Sequence, residues 1–110
     1  MGSHNVEIGY RLTGRSATGG YVSGTCPAGE YYASAMYIAN GGDSSHLEPH
    51  PYWLTASSVS GVTSSELVSL GMMAVFKINN ATSSTCTFYV TTSTTAWPDV
   101  YANTVAFRYY

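Results

Sequence analysis

The sequence predicts an all-β fold, most simply a two-sheet sandwich of about seven or eight short antiparallel strands, with a small β-barrel as the alternative. Two observations carry that reading. Apolar and polar residues alternate with period two along much of the chain. Clusters of Gly, Pro, Asn and Ser interrupt the alternation at regular intervals, as turns between short strands do.

Taken in order, Val6, Ile8, Tyr10 and Leu12 share one face of an opening strand, while Glu7, Gly9 and Arg11 face away. The run TGRSATGG at 13–20 is turn chemistry, and 21–26 is a second strand. Cys26-Pro27-Ala28-Gly29 has proline where a turn wants φ preset and glycine at the fourth position. A third strand over 31–39 opposes Tyr31, Ala33, Ala35 and Tyr37 to Tyr32, Met36 and Ile38, and its alanines point to close approach of a facing sheet. Residues 40–51 are the longest irregular segment, opened by NGGD and closed by PHP. Strand character returns at 52–59. Thr63-Ser64-Ser65-Glu66 has capping-box spacing, so 63–71 reads either as a short helix ended by Gly71 or as a strand. Residues 72–78 and 85–92 are strands, the second with Cys86, Phe88 and Val90 inward. A loop carrying Trp97-Pro98-Asp99 precedes a last strand at 104–110. Tyr10, Met36, Phe88 and Phe107 fall on inward positions and are expected in the core.

A chain of 110 residues is one domain. The opening MGSH reads as an expression-tag remnant, leaving the domain at 5–110. Charged residues make up only 9% of the chain, and Ser with Thr about a quarter, so hydroxyls do the wetting that ions usually do. The cations Arg11, Arg15, Lys77 and Arg108 never cluster, and the net charge is -2. Nucleic-acid binding needs a basic stripe that these positions do not supply. No apolar run approaches the ~20 residues of a membrane span, so no membrane insertion is expected.

Cys26 and Cys86 are the only cysteines. They are either two buried thiols or one disulfide, which in the chain-entropy model would stabilise by roughly 4 kcal/mol. Low charge, abundant Ser, Thr and Tyr and an even cysteine count favour the disulfide and an oxidising compartment.

The stretch SSHLEPHPYW places His46 and His50 four residues apart. Pro49 and Pro51 forbid the helix that would turn both imidazoles to one metal. In a loop they could still converge with Asp43 or Glu48, but no third ligand is set by spacing, and recognition is the better reading. There is no GxSxG elbow, no dinucleotide fingerprint and no phosphate loop. No enzyme and no cofactor is therefore expected, a small hydrolase being the distant alternative.

The aromatic content is the stronger signal, with Tyr 10, Phe 3 and Trp 2 in the chain. Tyr52, Trp53 and Trp97 sit at loop–strand junctions beside proline and polar residues. Rigid rings of this kind are enriched in recognition surfaces, and a ring face stacks on the C–H face of a sugar while Asp and His bond its hydroxyls. Trp53 has a second reading, as the buried tryptophan of a sandwich. The expected ligand-binding set is Asp43, His46, His50, Tyr52 and Trp53 in one loop, with Trp97 and Asp99 in another. The expected partner is a cell-surface glycan or receptor. Association with copies of itself through edge strands such as AFRYY at 106–110 is the competing expectation. Asn80-Ala81-Thr82 also matches a glycosylation acceptor.

The phrase GTCPAGEYY at 24–32, followed by SSTCTFYV at 83–90, resembles a pattern in small secreted bacterial β-domains. Those begin a disulfide-linked sheet with a Cys-Pro-x-Gly turn and close it with a cysteine in a late strand. They occur at the receptor-binding ends of PilV-like pilus-tip adhesins and of phage tail fibres. This chain departs from the pattern in having YYASAMYIA where a glycine-rich strand is expected. The resemblance implies export, one disulfide and attachment at a cell surface; it carries over no binding residues.

Overall fold

A computed structural model describes the backbone of residues 11–12, 19–40, 49–93 and 102–109, with side chains over 19–38 and 51–93. Its strands are β1 (Arg11–Leu12), β2 (Gly19–Cys26), β3 (Gly29–Asn40), β4 (Pro49–Pro51), β5 (Leu54–Ser60), β6 (Ser64–Leu70), β7 (Ala74–Asn80), β8 (Ser84–Thr92) and β9 (Ala102–Tyr109). They form two antiparallel sheets. The larger runs β1-β9-β3-β7-β6, with β4 added to β3, and the smaller runs β2-β8-β5. This is the two-layer, all-β architecture that the alternation predicts.

The core lies where the two alternations meet. From the large sheet come Tyr31, Ala33, Ala35, Tyr37, Ala74, Phe76 and Ile78; from the small sheet come Val22, Cys26, Leu54, Cys86, Phe88 and Val90. Alanine at 33, 35 and 74 keeps one inner face shallow, which leaves room for the rings of Phe76 and Phe88 in the same cluster. Those rings meet edge to face, with centroids 5.7 Å apart, a geometry worth about 1 kcal/mol beyond the area it buries. Met36 belongs to the opposite face of β3 and is only half-buried. The pleat decides this: Tyr31, Ala33, Ala35 and Tyr37 take the inner side, so Met36 cannot share it.

Residues 63–71 are strand and turn, not helix. Ser64 to Leu67 pair with Asn79 to Phe76 of β7, and a bulge at Val68 shifts the register before Ser69 and Leu70 resume. The capping-box spacing is met by chance, since pairing along β7 satisfies backbone groups that a two-turn helix would leave open. A second bulge in β5 lets Leu54 and Ser57 both point inward despite their odd separation.

Three connections cross between the sheets at one end: Pro27–Ala28, 61–63 and 81–83. They are tied together by specific bonds. Cys26 and Cys86 form a disulfide with Cα atoms 5.7 Å apart, closing a sequence separation of 60 residues. It joins adjacent strands of the small sheet, in which Cys86 pairs with Gly24 and Cys26 with Ser84. Asn80, at 3% exposure, donates from Nδ2 to the carbonyls of Cys26 and Pro27, both at 3.0 Å. The Tyr31 hydroxyl donates to Pro27 O at 3.1 Å, and Ser84 Oγ donates to Gly61 O at 2.8 Å. The Ala81 amide donates to Thr63 Oγ1 at 2.8 Å.

Gly61 has φ +90°, and a Cβ there would meet the Thr85 carbonyl oxygen and lie 2.9 Å from Cys86 Cα. Only glycine fits against the disulfide strand at this point. Gly29 has φ +127° with open space around it, so its constraint is the backbone angle alone.

The expected cost of removing the disulfide is large. The Cys26→Ala/Cys86→Ala double variant should lose roughly 3–4 kcal/mol in urea denaturation, as the loop-closure argument gives. An unchanged midpoint would contradict that role for the link.

Candidate functional site

The end of the sandwich opposite the disulfide is built from the last residues of β3 and β6, the first of β5 and β7, and β4. Here β3 outruns β7. Its pairing with β7 stops at Ala35, and β4 then takes Ile38, Ala39 and Asn40. The Tyr52 amide extends this ladder, donating to Tyr37 O at 3.2 Å. Two residues later the Leu54 amide donates to Gly71 O at 2.7 Å, and Leu54 enters the core as the first residue of β5.

Trp53 therefore sits at the crossover between sheets, with a backbone bond on each neighbour. Tyr52 turns inward and packs edge to face on buried Tyr37, with centroids 6.0 Å apart. Leu54 also turns inward. Trp53 between them points out, with 65% of its surface exposed. Its six-membered ring lies over the turn after β6, where carbons of the indole come within 3.5–3.8 Å of the place a Cβ would occupy on Gly71. Leu70, Met72 and Met73, the residues around Gly71, are exposed as well.

Trp53 is thus not the buried tryptophan of the sandwich. Phe88 and Tyr37 hold the central positions, and Leu54 supplies the inward side chain at this crossover. Of the other expected site residues, His50 lies in β4, where its backbone pairs with Ala39. Tyr52 lies beside Trp53, half-buried, with its ring engaged by Tyr37. Asp43, His46, Trp97 and Asp99 lie outside the described residues, as does Tyr10, and Phe107 is described in its backbone only. Among the described residues no three His, Cys, Asp or Glu side chains gather as metal ligands, and both cysteines are consumed by the disulfide. Among the described residues no helix is long and apolar enough to cross a membrane.

Asn80 is not a glycosylation acceptor in the folded protein. Its amide nitrogen, the atom that would carry the sugar, is buried and bonded to two turn carbonyls. The tripeptide matched by composition, while the structure spends the side chain on the crossover turns.

A second surface feature escaped the sequence reading. Among the described residues β6 is an edge strand of the large sheet, and all of its residues are exposed, Leu67, Val68 and Leu70 among them. The strand β9, containing most of AFRYY, pairs with β3 on one side, and on the other β1 pairs with it only at Asn103 and Thr104. Beside β6, a shallow recess of about 230 Å³ is lined by Glu30, Ser64, Glu66, Lys77 and Asn79 on the outer face of the large sheet.

The contrast between Trp53 and the core is measurable. Trp53→Ala should cost less than about 1 kcal/mol of stability, as at an exposed site. Phe88→Ala should cost about 3–5 kcal/mol, as in a packed core. Equal losses in urea denaturation would contradict this placement of the indole.

In comparisons with protein-family models, with curated proteins and with solved structures, nothing matches this chain.

Proposed function

We propose that the protein is a non-enzymatic recognition module of an extracellular, cell-surface or virion-surface protein, binding a cell-surface glycan at the end that carries Trp53. One observation supports this above the others: a large ring, held by backbone bonds on both sides, faces solvent from a crossover whose neighbours, half-buried Tyr52 and buried Leu54, turn inward. Such a ring gives contact area with little entropy left to lose, because the chain beneath it is already ordered. The C–H face of a sugar stacks on the indole, whose π face is negative. Hydrogen bonds to its hydroxyls would come from Asp43, His46 and His50, with Trp97 and Asp99 from the later loop. The disulfide is the chemistry of a non-reducing compartment, which agrees with a surface location.

A glycan array tests the reading. Wild-type protein should bind a restricted set of glycans, and Trp53→Ala should weaken that binding more than about tenfold, as for an aromatic hot spot. Undiminished binding by Trp53→Ala would defeat the site assignment.

The second reading, self-association, is supported by β6. An edge strand with three exposed apolar residues and only Glu66 for charge is weakly guarded against pairing with another edge. The bulge at Val68 is one guard it does carry. Sedimentation over a range of concentrations should then show association that Val68→Lys suppresses; a monomer at high concentration removes this reading.

A further inference from the structure

The two sheets differ in a way that neither reading above uses. Among the described residues every Lys, Arg, Asp and Glu (Arg11, Glu30, Glu66, Lys77 and Arg108) belongs to the large sheet. β2, β5 and β8, which make the small sheet, contain none, and no histidine either.

The pairing register arranges the outward side chains of the small sheet in rows. Tyr21, Tyr89 and Ser58 form one row. Ser23, Thr87 and Ser60 form the next, followed by Thr25 with Thr85. On the other side of the tyrosine row, Thr91 stands between Gly19 and Ala56. The two tyrosine rings lie 6.0 Å apart and are tilted 42° to each other, with Tyr89 45% exposed. Ser23 Oγ and Thr87 Oγ1 are 2.6 Å apart and hold one another in place. At ordinary strand spacings the array covers roughly 10 by 20 Å, which is longer than one sugar ring.

We propose that this face is a second binding site, a platform for an extended neutral polysaccharide. The chemistry of the face selects the ligand. Burying a charge without a counter-charge is costly, and a neutral glycan has no counter-charge to offer; this face has no charge to bury. An anionic polymer would need cations, and the strands β2, β5 and β8 supply none. Sugar C–H groups pack on the tyrosine rings, and the Ser and Thr hydroxyls donate to or accept from sugar hydroxyls directly or through water. The site is separate from Trp53, and it stands or falls independently of the glycan reading there.

The test is retention of the intact protein on insoluble cellulose, chitin, starch and β-1,3-glucan, with alginate gel as the anionic control. Wild type and Trp53→Ala should be retained alike on at least one neutral polymer and washed from alginate. Tyr89→Ala and Ser58→Glu should each weaken that retention about tenfold or more. Ser58 is exposed on an outward position, so its variant keeps the rings and the core and guards against misfolding as the cause. Full retention of either platform variant overturns the proposal, as does failure of wild type on every neutral polymer. Loss with Trp53→Ala alone moves the binding to the crossover end and overturns it too. A wild-type dimer that Ser58→Glu dissociates assigns the face to a second copy of the chain, which also overturns it.

Discussion

The structure depends on a clamp at one end of the sandwich. Turns that cross between layers are weak points, because their backbone groups leave both ladders and must find partners elsewhere. In this protein the Asn80 side chain answers for two of those carbonyls, and the Cys26–Cys86 bond fixes the strands from which they emerge. Ser84, Thr63 and the Tyr31 hydroxyl attach the remaining turns. The glycine at 61 brings its turn against β8 so closely that no side chain fits. Covalent and polar constraints converge within a few residues, which leaves the apolar core to set the spacing of the sheets.

With one end clamped, the other can carry a large exposed ring without loss of order. The crossover from β4 to β5 is short and bonded on each side of Trp53, so the indole is presented by rigid backbone. That is a favourable arrangement for binding, since the ordering cost is met when the protein folds and not when a partner arrives. The separation of charge between the sheets adds a second axis of asymmetry. Among the described residues one outer face holds Glu30, Lys77, Glu66 and a shallow recess, and the other holds only hydroxyls, tyrosines and small apolar groups.

Much of the fold was legible from period-two alternation. Cys86, Phe88 and Val90 are buried as the spacing requires, and the Tyr31–Tyr37 alternation is the one observed. The turn at Pro27–Ala28 follows from local chemistry, and the Cys26–Cys86 link is the one that composition and the even cysteine count favoured over two free thiols. What could not be read is set by contacts between distant residues. The helix alternative at 63–71 fails because β7 offers a partner that local propensity does not see. Met36 goes to the outer face because only the facing sheet decides which side of β3 is inside. Asn80 looked like a surface acceptor because its partners lie 53 and 54 residues away in sequence. For the candidate site, the sequence marked Trp53 and left its exposure open, which depends on Tyr52 and Leu54 taking the inward positions. The platform on the small sheet needed the pairing register before its rows existed at all.

Native-state hydrogen exchange, read amide by amide with the disulfide intact and then reduced, tests the clamp most directly. The account predicts that amides of Val22, Phe88 and Val90 exchange only through global unfolding in the oxidised protein, that exposed β6 exchanges faster, and that reduction lowers protection around Cys26, Asn80 and Ser84 by about two to three orders of magnitude. Protection that is the same before and after reduction would show that the crossover end holds without its covalent tie, and would contradict the account.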